Sequence, residues 1–426
     1  MTLPAVFLCI CVSTLPVPVQ KGVPNIREQE KAVTAYLHLD PHDKESWAEG
    51  ERILAGLDSV PFPKGSRLRG WTKFLDKWRR KEASKLPEKA GEYFDLADGT
   101  SGRYFIDGEL KKPKGLFIGM HGGGVGSGDA SSSHSSYTRA IEDRDWIGIF
   151  PEVIEKTECG WTDSGTEEWV LSLVERALDT FDIDPDKVYF GGHSMGGYGS
   201  WVLGAHHADR VAALMPSAGA PTPIYGASGN VISVQKGVVP NLRNVPMCVF
   251  QSTDDPKVGP EANQAAVKVV ERSRVEWGGY ENFEYWEVSD KGHGWPEGGP
   301  DALVAKIDQY TRDSHPIKVV WQPRIDWKRQ FYWLWWDAPE LRSTVVAEVD
   351  REAGTIDIEL TRGEGEGLHV LLSEELVDME REVTIRVNGL DRFQGVPEPS
   401  FSAWVRTLAY RDPGLQFPCR VGLAPE

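Results

Sequence analysis

The chain has 426 residues, 40% of them hydrophobic, enough for two or three domains with a sizeable core. Its 47 Lys and Arg against 64 Asp and Glu leave a formal net charge of −17, which repels phosphate backbones and anionic membranes and argues against a nucleic-acid partner. The five cysteines, Cys9, Cys11, Cys159, Cys248 and Cys419, show no metal-ligand spacing, so no structural zinc site is expected.

At the N-terminus an apolar run from Leu3 to Leu15 is too short to cross a bilayer comfortably and resembles the core of a secretory signal. It predicts a signal peptide over 1–20, a secreted or periplasmic protein and no stable membrane span. The fit is imperfect: no Lys or Arg precedes the run, and no clean small-x-small site follows. Residues 21–90 form a charged N-terminal helical region with amphipathic stretches such as "REQEKAVTAYLHL" and "RGWTKFLDKWRRK". The basic cluster from Lys77 to Lys81 reads as a solvated helix face rather than a polyanion site.

Across 91–315 the pattern becomes α/β. "EYFDLADGTSGRYFIDGEL" reads as a hairpin, and "GLFIGM", "WIGIF", "KVYF" and "VPMCVFQS" read as buried strands, the last making Cys248 a core thiol. "EEWVLSLVERALDTF" has a strong helical period. Strands alternating with helices over short connections predict a sheet with helices on both faces. Beyond Pro316, short period-two runs with an Asn388-Gly389 turn predict a separate C-terminal β-sandwich-like domain over 316–426. The tryptophans of "WKRQFYWLWWDAPE" read as an interdomain seam, the alternative being a surface that grips sugar rings. Cys159 and Cys419 are both placed where pairing is conceivable, and the sequence does not decide it.

Within the α/β region, "KVYFGGHSMGGYGSW" carries a strand into Gly192-x-Ser194-x-Gly196 and then an apolar helix. That context matches a nucleophile elbow, in which a strained turn lifts a serine hydroxyl out of the sheet. An elbow serine needs a base, an orienting acid and an oxyanion hole, and they follow in the order Ser, Asp, His after successive strands. Asp254 and Asp255 come just past "VPMCVFQS", and His293 lies on the glycine-rich loop after "FEYWEV". Upstream, His121-Gly122-Gly123-Gly124 follows another strand, where one amide of the hole belongs; the other is that of Met195.

Together "MHGGG", "GGHSMGG", "STDDPKV" and "KGHGW" resemble the α/β-hydrolase superfamily, and within it the polyhydroxybutyrate-depolymerase and feruloyl-esterase-like secreted esterases, which adjoin the prolyl-oligopeptidase-like hydrolases. The resemblance covers roughly Gly91 to His315. It implies Ser194 as nucleophile, His293 as general base and then acid, and an acid in an Asp-x-x-Val motif. Asp255-Pro256-Lys257-Val258 fits that motif. Pro256 also restrains the residue before it, whereas Asp254 is expected to face solvent or cap the turn. Asp290 reads as a loop residue.

Other features carry plainer readings. His121 is expected to support the oxyanion turn, His193 to pack, and His206 and His207 to lie on the surface late in the post-elbow helix. "DIDPDK" lacks the Gly and Glu of a calcium loop, and "HGGGVGSG" lacks the Lys of a phosphate loop, so neither metal nor cofactor is called for. The segment between Ser217 and Val245 is too short for a large lid. The expected site is therefore an open cleft bordered by Trp295, Tyr225 and Trp161, suited to bulky, polymer-linked or carbohydrate-linked esters. The rival readings are a serine peptidase of the prolyl-oligopeptidase kind, for which no propeller-length domain precedes the hydrolase region, and a carbohydrate-binding protein with a hydrolase-shaped body.

Overall fold

The computed structural model describes residues 22–96, 101–363 and 365–423. The segment expected to be a signal peptide, with Cys9 and Cys11, lies outside the described residues. Eight strands form the central sheet: β1 (Gly91–Phe94), β2 (Arg103–Gly108), β3 (Leu116–Met120), β4 (Ile147–Pro151), β5 (Val188–His193), β6 (Ala213–Ser217), β7 (Met247–Ser252) and β8 (Phe283–Val288). Their spatial order is β1-β2-β4-β3-β5-β6-β7-β8. Only β2 runs against its neighbours; β4, β3, β5, β6, β7 and β8 pair in parallel. β3, β4, β6 and β7 are buried along their whole length, as expected of strands covered on both faces.

Three helices precede the sheet: α1 (Ile26–Leu37), α2 (Trp47–Ala55) and α3 (Ser66–Lys81). Asn25 starts α1 with a capping box closed by Glu28. Within the sheet region come α4 (Ala130–Glu142), α5 (Thr166–Thr180), α6 (Met195–His206), α7 (Glu261–Trp277) and α8 (Gly299–Ile307). On α3, Trp78 turns inward while Lys77, Arg80 and Lys81 stay exposed, the solvated face that the sequence suggested.

After Pro316 come two sheets whose apolar residues share one core. One has the order β9 (Lys318–Trp321), β12 (Val345–Asp350), β13 (Thr355–Leu360), β15 (Val383–Val387) and β16 (Leu390–Gly395). The other has β10 (Gln330–Phe331), β11 (Leu334–Trp336), β14 (Leu368–Leu372) and β17 (Cys419–Gly422). Asn388 and Gly389, both at positive φ, close the β15–β16 hairpin as their dipeptide predicts. A helix the period-two pattern hides, α9 (Phe401–Leu408), packs with α1, α2 and α3 through Trp71, Phe401, Trp404 and Val405, so both ends of the described chain share one small core.

The C-terminal body is less separate than the sequence suggests. Apolar side chains of both its sheets join those of the central sheet in one continuous core that buries Trp333, Trp335 and Trp336, and Trp327 is buried beside it against His42 and His207. Tryptophans so placed form a seam and leave no ring face for a sugar. The seam also holds ion pairs. Lys328 binds Asp209 at 2.6 and 2.9 Å, Arg312 binds Asp412, and Arg210 reaches both Glu175 and the carbonyl of Tyr410.

His206 and His207 belong to this buried seam and not to the surface. Every residue of α6 except Tyr198 is buried, so its C-terminal end has no solvent face, and both rings hydrogen-bond Glu167 Oε1 at 2.8 Å. Cys159 is exposed and Cys419 buried, and both are free thiols.

Candidate active site

β5 ends in His193, and Ser194 follows with φ 60° and ψ −123°, a strained conformation for a residue with a side chain. The turn is tight enough to require glycine at two places. A Cβ on Gly192 would meet Gly196 O at 2.3 Å, and one on Gly196 would meet Met120 O at 2.1 Å. These are backbone atoms that have no room to yield, so the Gly-x-Ser-x-Gly spacing is a steric demand. Ser194 N–H donates to Ser217 O on β6, which anchors the turn to the sheet.

His293, on the loop after β8, places Nε2 2.9 Å from Ser194 Oγ and Nδ1 2.7 Å from Asp255 Oδ2. The Asp255 carboxylate is shut away from solvent while the histidine ring stays partly exposed. Its other oxygen accepts from the amides of Lys257 and Val258, and buried Gln251 holds the Val258 carbonyl. With Asp255 an acceptor, Nδ1 carries the proton and Nε2 is left to accept from the serine hydroxyl. The arrangement can therefore deprotonate Ser194 as it attacks a carbonyl and hold the resulting imidazolium.

Asp254 is exposed and does something more specific than face solvent. Its Oδ1 accepts from Ser252 Oγ at 2.5 Å and from Gly292 N at 3.0 Å, and Ser252 Oγ in turn accepts from Lys291 N. The hydrogen bond from Ser252, then that from Gly292, holds its carboxyl below the ordinary range. Asp254 thus fastens the loop that carries His293. Asp290 is exposed in that same loop with φ 77°.

Opposite the elbow, Gly122 comes so close to Ser194 that a Cβ on it would lie 3.1 Å from the serine Cβ. Met195, the other residue expected to supply an amide, is the first of α6 and follows Ser194 directly. Gly123 is on the cleft wall as well; Gly124 is not, although it pairs with Ser127, which is. His121 supports the turn. Its Nε2 accepts from Val153 N, which fixes Nδ1 as the donor to Gly122 O, and burial keeps the ring neutral by lowering its pKa.

The cleft encloses about 400 Å³, and its wall is drawn entirely from residues between Met120 and Trp295. Trp295 lines it, packed against His193 at 4.4 Å and edge-on to Tyr137. His193 bridges Ser217 Oγ and the His293 carbonyl, and burial first, then the neighbouring His293, pushes its pKa down to about 4. The other two expected border residues are elsewhere. Trp161 is fully buried beneath the oxyanion turn because its short helical turn packs under α6, and its indole N–H donates to His121 O. Tyr225 is exposed on the hairpin of Pro223–Tyr225 with Val231–Val234 and is not part of the cleft wall. Sequence reasoning also missed Ser132, Ser133, Ser136 and Tyr137 of α4, which form one side of the cleft. Their signal was the serine spacing in "ASSSHSSY", which puts those positions on one helical face.

A strand order of 1-2-4-3-5-6-7-8 with the second strand antiparallel, together with an elbow serine after the fifth, decides the fold. It is the α/β-hydrolase fold. No protein-family model and no curated protein sequence matches the chain. Among solved structures, a thermostable esterase is similar at 20% identity and a TM-score of 0.40, over 53% of this chain and 63% of that one. The chain thus spans under two thirds of that esterase. A CE1 ferulic acid esterase from Anaeromyces mucronatus, in complex with ferulic acid, is 16% identical with a TM-score of 0.38, over 55% and 95% of the two chains. An acetyl xylan esterase from Aspergillus awamori is 14% identical with a TM-score of 0.37, over 48% and 94%. At such distances the chemistry has to be argued from the chain's own residues.

Proposed function

We propose that the chain is a serine hydrolase that cleaves carboxylic esters through an acyl-enzyme on Ser194. The observation that carries this reading is the hydrogen-bonded line from Asp255 Oδ2 through both nitrogens of His293 to Ser194 Oγ, ending in an open cleft. Ser194 attacks the ester carbonyl while His293 Nε2 takes its proton. The amides of Met195 and Gly122 face the developing oxyanion. His293 then protonates the leaving alkoxide, and a water activated by the same ring releases the acid and regenerates the serine.

An ester is favoured over a peptide because neither the N-terminal helices nor the C-terminal body contributes to the cleft wall, and residues 22–90 supply three helices rather than a gating domain. The open mouth also suits esters attached to bulky or polymeric material. Secretion remains our proposal from the N-terminal apolar run, and the charge of −17 supports the expectation that nucleic acid is not a partner. The test is turnover of 4-nitrophenyl acetate beside a panel of prolyl and alanyl peptide anilides. Ester hydrolysis that disappears in Ser194→Ala, with folding unchanged, is the expected result. Cleavage of the anilides with no turnover of the ester would move the assignment to a peptidase.

A further inference from the structure

The α4 side of the cleft has a chemical character of its own. Ser132, Ser133, Ser136 and Tyr137 lie on one face of the helix and all contribute to the cleft wall. The three serine protons are already engaged by the helix backbone: Ser132 Oγ donates to Asp129 O at 2.7 Å, Ser133 Oγ to Ala130 O at 3.0 Å, and Ser136 Oγ to Ser132 O at 2.7 Å. What each hydroxyl retains is acceptor capacity. Beside them Tyr137 is 1% exposed, wedged between Phe117 and Trp295, and among the described residues its hydroxyl has no hydrogen-bond partner. A buried hydroxyl left unpaired costs free energy, and in a binding cleft the natural partner is a group that the ligand brings.

We propose that this face is a subsite for a hydroxyl group carried by the substrate next to its ester, with Tyr137 as the residue that sets the preference. The inference rests on the ester-hydrolase reading and names a property of its substrate. A hydroxyl suits the wall because it can donate to a serine oxygen and also accept the Tyr137 proton. A purely aliphatic ester would bury the same oxygens with nothing to satisfy them, which is how a polar site rejects an apolar analogue. The hydroxyl can sit on the acyl or on the alcohol portion, because the face borders the same cleft as Ser194 and both portions of an ester pass close to the nucleophile.

Two matched pairs of esters separate these sources: ethyl lactate against ethyl propionate for the acyl side, and 2-hydroxyethyl acetate against ethyl acetate for the alcohol side. The expected result for the unaltered chain is a kcat/KM preference of about tenfold or more for the hydroxylated member of at least one pair. In Tyr137→Phe that ratio falls by about tenfold, and Ser136→Ala lowers it less. The Tm of Tyr137→Phe is unchanged or higher, because an orphan hydroxyl has been removed. A fall in Tm would mean that the hydroxyl is held inside the protein, and it would overturn the proposal. So would equal rates within both pairs, or no turnover of the hydroxylated esters, in a protein whose Ser194 still reacts with a fluorophosphonate. Loss of that reaction together with all ester turnover would instead overturn the hydrolase reading on which the subsite depends.

Discussion

Two regions of this molecule pair histidine with carboxylate, and they are built for different ends. In the cleft, His293 links Asp255 to a serine in a strained turn, with one wall open to solvent. In the seam, His206 and His207 share Glu167, and His42 meets Glu175 beside Arg210, all buried against the C-terminal body. The hydrogen-bond lengths are similar, so a His–carboxylate contact does not by itself mark a site. The difference lies in what stands on the far nitrogen. In the cleft it is a serine hydroxyl that lines an open cavity. In the seam, among the described residues, His206 Nε2 and His207 Nδ1 have no partner. Acid–base partners do chemistry only where a substrate can reach them.

The same chemical change should therefore have opposite consequences in the two places. Asp255→Asn leaves an acceptor for the two backbone amides but presents the wrong partner to Nδ1, and ester turnover is expected to fall by about 10⁴-fold with little change in Tm. Glu167→Gln removes the charge from a buried pair and is expected to cost about 3–5 kcal/mol in denaturant unfolding, with turnover per folded molecule changed only a few-fold. If Glu167→Gln were inactive at full stability, the two regions would not be distinct.

Acid should act on the seam, and on the cleft, through buried histidines that the fold keeps neutral. Burial pushes His207 down to about 3, so the unfolded chain takes up a proton below about pH 6.5 that the folded chain refuses. For Glu167 burial raises the pKa, but the two histidines outweigh it and hold it at about 2, so the same sign applies from about pH 4.5 downward. Stability is expected to drop as pH falls from 6.5, by up to about 1.4 kcal/mol per pH unit for each such group. Thermal unfolding between pH 7 and pH 4 measures it, and His207→Gln should make the part above pH 4.5 shallower, the remainder coming from His193 in the cleft. A flat Tm over that range in the unaltered chain would contradict the buried, neutral state of His207.

The smallest effect is expected at Asp254. Because it fastens the histidine loop through Gly292 and Ser252 without touching His293, Asp254→Asn should slow turnover about tenfold or less, in kcat more than in KM. A loss as large as that of Asp255→Asn would reverse the assignment of the two aspartates.

Much of the cleft was legible because its constraints are local. Gly192 is dictated by backbone contact within one turn, Gly196 marks itself by its fixed spacing from Ser194 although the backbone it meets is that of Met120, and Pro256 marks Asp255 from one residue away. The eight-stranded sheet was readable from its apolar runs for the same reason. What stayed hidden depends on distant packing. α4 carries few large apolar residues, so its serine-rich face did not announce a helix or a cleft wall. Trp161 looks like a border residue until α6 is seen to cover it. His206 and His207 look like a polar helix end until the C-terminal body closes over them. α9 was lost in a tail whose period-two runs read as strands throughout, and its apolar face makes sense only against α1, α2 and α3.

Labelling with a fluorophosphonate followed by peptide mapping tests the central claim most directly, since the reagent needs an activated serine and no knowledge of the natural ester. The account predicts one adduct, on the peptide that contains Ser194, absent from Ser194→Ala and formed far more slowly in His293→Ala. Folded protein that takes up no label, or that is labelled equally well without Ser194, would contradict it.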